Sequence, residues 1–283
     1  MTPRGTATAA GLPRFARAAD ALAGSMLTGA ALRGAAPAPA TGRLNGQVIV
    51  IAKAPEPGRV KTRLTPPFSP RQAADLARAA LADTLAAAAG TAAARYVIAL
   101  DGPPGSWLPA SVPVLAQRGA GLDERIAAAL DDAYRELAAP VLLIGMDTPQ
   151  VTAPLLEAAL LPLANGTADA VIGPAADGGF WLLGLRRPDP SLILGVPMST
   201  AATGATQVAR LAWAGLRIHW MPLLRDVDTA ADAYAAAAAA PRSRFAAALA
   251  VMAGPRPAWP GPESGRADGP AGPSGCPEAA PRG

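Results

Sequence analysis

The chain has 283 residues, 51% hydrophobic and 16% charged, with 31 Pro, 29 Gly, one Cys and one His. A single cysteine, Cys276, excludes an intramolecular disulfide scaffold and a cysteine-rich zinc site, and a single histidine, His219, leaves no His cluster for a metal. The net charge of +4 is local: residues 1–46 supply it with five Arg against Asp20, while residues 47–252 balance 17 basic against 17 acidic groups, so no nucleic-acid footprint is predicted for the body.

In chain order, residues 1–45 are rich in Ala, Arg and Pro and are expected to form a disordered extension. Within it Ala21–Leu32 has the outline of a signal peptide, but Asp20 at its mouth and a weak apolar run argue against secretion, leaving a cytoplasmic location. Residues 46–252 read as the folded domain. Gln47–Ala52 is a short apolar, β-branched strand. Ser69-Pro70-Arg71-Gln72 has the spacing of a capping box with Pro at the first helical position, and a helix to about Ala89 follows. Tyr96–Leu100 and Val112–Ala116 are the next strands. Leu122, Ile126, Leu130, Tyr134 and Leu137 share one helical face, with Asp123 and Glu124 in the first turn. Val141–Gly145 is an unbroken apolar strand, followed by a helix over Pro154–Leu163. Strands over Ala170–Gly173 and Phe180–Leu185 flank Asp177-Gly178-Gly179. A helix over Thr206–Ala214, a strand over Leu216–Leu223 and a helix from Thr229 complete the domain. Residues 253–283 hold eight Pro and seven Gly and are expected to be a disordered tail.

Strands that are apolar throughout and separated by helices predict one Rossmann-like α/β domain, its mostly parallel sheet covered on both faces. No run of about 18 apolar residues predicts a membrane span. Ligands of such sheets bind beyond the carboxyl ends of the strands, so the segments after each strand are the candidates for chemistry. After the first strand, Lys53, Arg59, Lys61 and Arg63 place four cations within eleven residues, and the chain has no other lysine. Pro55, Pro57 and Gly58 shape a loop that suits a di- or triphosphate, or else a solvated basic turn. After Val141–Gly145, Asp147 precedes Thr148-Pro149 and is placed either to hold a hard cation or to form an Asx turn. Asp177-Gly178-Gly179 is first a hairpin signal, and its glycines would also let a base or sugar lie against backbone. After the last strand, Asp226 and Asp228 alternate on one face of an extended segment and Thr229-x-x-Asp232 caps the next helix. Asp147 with one of these two would give Mg²⁺ its oxygen ligands, unless they merely decorate a helix start. His219, mid-strand, is expected to be structural, which removes a His-dependent hydrolase.

Four segments in one order, KAPEPGRVKTRL, GMDTP, GPAADGGFWLLGL and RDVDTAADAY, resemble a family of transferases associated with radical-SAM and selenoprotein-domain proteins. That family is placed in the GT-A-like nucleotide-diphospho-sugar transferase superfamily, and the resemblance covers about residues 47–240. The loop and the last acidic segment are also similar to those of 2-phospholactate guanylyltransferases. The resemblance implies Gly58, Arg59, Lys61 and Arg63 at the phosphates, and the loop's own run of cations adds Lys53 to the expected nucleotide- and phosphate-binding residues. It implies Asp147 and Asp228 at Mg²⁺ or Mn²⁺, and Asp177, Gly178 and Gly179 lining the donor or acceptor pocket. Lys61, Arg63 and Asp147 would carry catalysis. The implied partners are a nucleotide sugar and a small-molecule acceptor in a GT-A glycosyl transfer, or a nucleoside triphosphate and a phosphorylated acceptor in a nucleotidyl transfer. A nucleotide-binding module without catalysis is the third alternative. Two departures from the family's pattern stand out. Leu122-Asp123-Glu124-Arg125 replaces Leu-Gly-Glu-Arg, for which a looser helix start is expected, and Met198-Ser199-Thr200 replaces Trp-Ser-Thr on the acceptor side.

Overall fold

The computed structural model describes residues 42–253; the expectations for the outer parts of both tails, and Cys276, lie outside them. Seven strands build one sheet: β1 (Leu44–Lys53), β2 (Ala93–Asp101), β3 (Val114–Ala116), β4 (Val141–Gly145), β5 (Ala170–Pro174), β6 (Phe180–Leu185) and β7 (Ile218–Trp220). Their order is β3-β2-β1-β4-β6-β5-β7. Every neighbouring pair is parallel except those made by β6, which runs antiparallel to both β4 and β5. The chain leaves β1 toward β2 and β3, then returns to lay β4 on the other side of β1, so strand order reverses at the centre of the sheet.

Helices cover both faces, as the buried strands require. On one face α1 (Pro70–Ala89) and α3 (Ala153–Ala164) pack Ala74, Leu81, Leu156 and Leu160 against Val48, Val50 and Leu142. On the other, α2 (Leu122–Glu136) and α4 (Thr203–Trp213) pack Ile126, Leu130, Val208 and Leu211 against Ile49, Leu143 and Leu183. A third, smaller cluster joins α1 to α5 (Ala230–Ala239) and α6 (Arg244–Ala253) through Leu76, Ala233, Phe245 and Leu249.

Both helix starts expected from capping spacing are present. Ser69 Oγ accepts from Gln72 N–H at 3.3 Å while Gln72 Oε1 accepts from Ser69 N–H at 2.8 Å; Thr229 and Asp232 make the same reciprocal pair. Each cap is worth about 1 kcal/mol. The expected strand over Leu216–Leu223 narrows to Ile218–Trp220 because Pro222 has no N–H to continue the ladder. His219 stands mid-strand as expected, but on the exposed face of an edge strand rather than in the core. Helix α6 was not anticipated as a separate element.

Candidate active site

The carboxyl ends of β1 and β4 lie side by side at the reversal of strand order, and β6 brings Phe180 to the same edge. The crevice there is a cleft of about 860 Å³, within the range of small-molecule and cofactor sites.

One wall is the loop after β1. Gly58 turns it at φ 78°, and Lys61 adopts φ 49°, a left-handed backbone that costs a residue with a Cβ about 1–2 kcal/mol. The carbonyl of Lys61 then accepts from Leu64 N–H at 2.9 Å, opening a single 3₁₀ turn, Thr62–Leu64. Leu64 is fully buried with Phe68, Leu76, Phe245 and Val227, and this apolar anchor holds the loop. Val227 belongs to the same cluster, and its N–H donates to the Asp147 carbonyl at 3.0 Å. Its two neighbours, Asp226 and Asp228, therefore line the cleft beside Asp147.

The side chains meet at one cation. Lys61 Nζ lies 2.6 Å from Asp147 Oδ2 and 3.2 Å from Asp228 Oδ1, with Arg63 3.5 Å from the other oxygen of Asp228. Only 12% of the Lys61 side chain is exposed. Burial lowers the pKa of its ammonium, but Asp147 and Asp228 outweigh that and hold it above its ordinary value, so Lys61 is charged at physiological pH. The remaining cations face solvent: Lys53 is exposed at the end of β1, while Arg59 and Arg63 are 66% and 78% exposed. Of the four cations Lys61 alone is buried among carboxylates; at the surface Arg59 pairs with Glu56 at 2.9 Å and Arg63 reaches Asp228 at 3.5 Å, contacts that solvent screens and a phosphate could replace.

Asp226 is left without a counter-ion. Its Oδ1 is buried with no hydrogen-bond partner, and burial, then Asp147 and Asp177, push its carboxyl up to about 7. The two carboxylates that converge beside it, Asp147 and Asp228, are hard oxygen donors of the type that suits Mg²⁺ or Mn²⁺. Among the described residues no three His, Cys, Asp or Glu side chains enclose a metal by themselves. Asp147 and Asp228, which share the Lys61 ammonium, are the pair that could hold one with ligands supplied from elsewhere.

The opposite wall corrects part of the expectation. Asp177 and Gly179 line the cleft, but Gly178 does not, and neither does Gly58. Asp177 Oδ1 accepts from Gly179 N–H at 2.8 Å, an Asx turn. A Cβ on Gly178 would fall 2.2 Å from the Ala201 carbonyl oxygen, and one on Gly204 would fall 2.6 Å from that of Gly179. Gly204 N–H donates to the Gly178 carbonyl at 2.8 Å. The space these glycines leave is filled by the segment Met198–Thr203, and that segment is what faces the cleft, with Ser199 at φ 58°.

The far end of the cleft holds residues the sequence reading passed over. Gln117 Nε2 donates to the carbonyls of Ala52 and Ala99, both at 2.9 Å, tying together the ends of β1, β2 and β3. Arg125 pairs with Asp101 at 2.7 Å. Gln117 directly follows β3, so the strand-end rule applied to that strand would have found it. The expected loosening at Leu122-Asp123 is absent: α2 starts at Leu122, and the Asp123 carboxylate accepts from Gly195 N–H at 2.9 Å, a bond that holds it below the usual carboxylate range.

Residues 72–200 match the family model described as "Uncharacterized protein conserved in bacteria (DUF2064)". The crystal structure of a candidate nucleotide-diphospho-sugar transferase from Desulfovibrio desulfuricans G20 is 30% identical, over 72% of this chain and 93% of that one, with a TM-score of 0.66. Two remoter likenesses are CMP:2-keto-3-deoxy-manno-octonic acid synthetase complexed with CTP (13% identity, 70% and 99% covered, TM-score 0.46) and Rv0371c of Mycobacterium tuberculosis H37Rv complexed with manganese (18%, 69% and 98%, 0.39). At that distance neither bears on chemistry. No curated protein matches the chain. The association with radical-SAM and selenoprotein-domain proteins gains no support from these likenesses.

Proposed function

The chain belongs to the bacterial family of the Desulfovibrio candidate nucleotide-diphospho-sugar transferase, and from that premise we propose that it transfers a glycosyl group from a nucleotide-activated donor to a small acceptor. The observation that carries this reading is the convergence of Asp147 and Asp228, from the loops after two different strands, on one cation inside a cleft rimmed by Lys53, Arg59 and Arg63. Asp147 and Asp228 would hold a Mg²⁺ or Mn²⁺ ion, whose contribution is to neutralise charge on the departing phosphate oxygen. Arg59 and Arg63, both solvent-facing, bind the donor's phosphates, and Arg125 with Gln117 shapes the far end. Lys61, moved from its carboxylates to the phosphates once that pair holds the metal, places a positive charge beside the oxygen on which negative charge develops. Asp177 and the segment Met198–Thr203 form the wall on the acceptor side.

Three solvent-facing cations also suit a triphosphate, the donor of a nucleotidyl transfer. Product analysis separates the two: the full chain is incubated with Mn²⁺, nucleoside diphosphate sugars or nucleoside triphosphates, and a mixed acceptor panel. Release of nucleoside diphosphate supports glycosyl transfer. Release of pyrophosphate overturns it in favour of nucleotidyl transfer. Tight nucleotide binding with no product from any donor assigns a binding module instead.

A further inference from the structure

The arrangement of Lys61 has a consequence for the order in which the site fills. Its ammonium sits between the two carboxylates that a metal would need, at 2.6 and 3.2 Å, and it is buried there while its three fellow cations are in solvent. The loop that delivers it is anchored at Leu64 and passes through a left-handed backbone at Lys61 itself. Two cations cannot occupy that point together, since like charges a few ångströms apart in a part-buried site repel strongly. Nor do the carboxylates suffice alone: among the described residues no third ligand completes a cage, and Mg²⁺-type ions bound by one or two carboxylates draw further ligands from substrate phosphates.

We infer that Lys61 is a resident counter-ion that keeps the divalent cation out of the nucleotide-free site and gives up Asp147 and Asp228 when donor phosphate arrives, so that nucleotide and metal bind in a coupled, obligatory fashion. The phosphate supplies both halves of the exchange, a new partner for the Lys61 ammonium and the missing oxygen ligands. In the empty protein the ammonium also protects the fold from an uncompensated pair of part-buried carboxylates. This inference rests on the metal-dependent reading above.

The test is Mn²⁺ binding by the full-length protein, read by electron paramagnetic resonance of free Mn²⁺, with and without UDP, GDP, CDP, ADP or TDP. The comparison is between the wild type and Lys61→Met, which keeps the stem and removes the charge. Wild type without nucleotide is expected to bind Mn²⁺ at least tenfold more weakly than with the diphosphate that it accepts. Lys61→Met without nucleotide is expected to bind it at least tenfold more tightly than wild type without nucleotide. Because the chain has two lysines, Lys53 and Lys61, ¹⁵Nζ-lysine labelling gives a second readout that needs no variant: the protected Lys61 ammonium resonance should move on adding nucleotide and diamagnetic Mg²⁺. Equal Mn²⁺ affinity in wild type and variant, an unmoved Lys61 resonance, or tight Mn²⁺ binding by nucleotide-free wild type overturns the inference and leaves the transferase reading intact. Absence of Mn²⁺ binding in both proteins, even with nucleotide, overturns both.

Discussion

The loop after β1 and the Asp177-Gly178-Gly179 turn face each other across the cleft, and both look, as sequence, like backbone made to approach a ligand. They are used differently. In the first, glycine only bends the chain: nothing lies within 4 Å of where a Gly58 Cβ would be, and the work at the site falls to side chains. In the second, the glycines are spent on a neighbour, with the Ala201 carbonyl oxygen 2.2 Å from the place of a Gly178 Cβ. A glycine reports that space is needed and says nothing of who fills it. That answer depends on which distant segment the topology delivers, here the start of α4.

The sharpest way to break the contrast is to remove the carboxylate opposite the basic loop. Asp147→Asn keeps the shape and the Val227 contact, which uses the backbone, but leaves Lys61 with Asp228 alone. Turnover is expected to fall by about 10³-fold or more, on the order of 4 kcal/mol of transition-state stabilisation, while the melting temperature changes little. A variant retaining a tenth of wild-type turnover in steady-state assays would remove Asp147 from the chemistry.

The glycines come next. Gly178→Ala must displace the Ala201 backbone and accept φ 90°, so a loss of about 3 kcal/mol in denaturant unfolding is expected. Gly58→Ala meets open space and is expected to cost only about 1–2 kcal/mol, the strain of its φ 78°. Equal costs at the two positions would mean that backbone angle, not the packed neighbour, is what demands glycine in the turn.

Much of this fold is legible in the sequence where the signal is local. Val141–Gly145 begins and ends where its apolar run does, and α1 begins at its capping box, because a strand's burial and a helix's first turn are decided within a few residues. The candidate cations and carboxylates were legible for a related reason: each lies in the loop that follows a strand, and those loops meet along one edge of the sheet. What was not legible is long-range. Nothing near Phe180–Leu185 says that it inserts between β4 and β5 rather than lying outside them. Helix α6 is hidden in an Ala-rich stretch after Pro241, where only Phe245 and Leu249 mark the buried face. Nor does alternation say which of Asp226 and Asp228 meets Lys61; the pinned Val227 between them decides it, and Asp226, the one left unpaired, is visible only in three dimensions.

A milder test asks whether the solvent-facing cations belong to the ligand. Arg63→Ala removes a side chain that is 78% exposed, with a single 3.5 Å contact to Asp228. Donor binding is expected to weaken about tenfold, or roughly 1.4 kcal/mol, with stability unchanged within about 0.5 kcal/mol. Equilibrium titration by intrinsic tryptophan fluorescence, set beside a melting curve, reads both. A stability loss without a binding loss would make Arg63 part of the scaffold.

The smallest effect separates a pair that serves the site from one that serves the fold. Asp169, just before β5, takes Arg217 through two bonds of 2.8 and 2.9 Å, and the Arg217 hydrogen bond foremost holds its carboxyl down at about 2. A carboxyl depressed on folding from the ordinary 3.8 adds stability that is present above about pH 4 and is lost as pH falls toward 2. Because Arg217 is 56% exposed, solvent screening limits that contribution to about 1 kcal/mol. Asp169→Asn should therefore unfold about 1 kcal/mol more easily than wild type at pH 7, with the difference shrinking as both are acidified through pH 3, and with turnover unaffected. A gap that stays constant down to pH 2 would mean the hydrogen-bond geometry matters and the charge does not. The pair at Lys61 should show the reverse pattern, with turnover lost at Asp147→Asn and stability nearly kept, because its partners are meant to be exchanged whereas those of Asp169 are meant to stay.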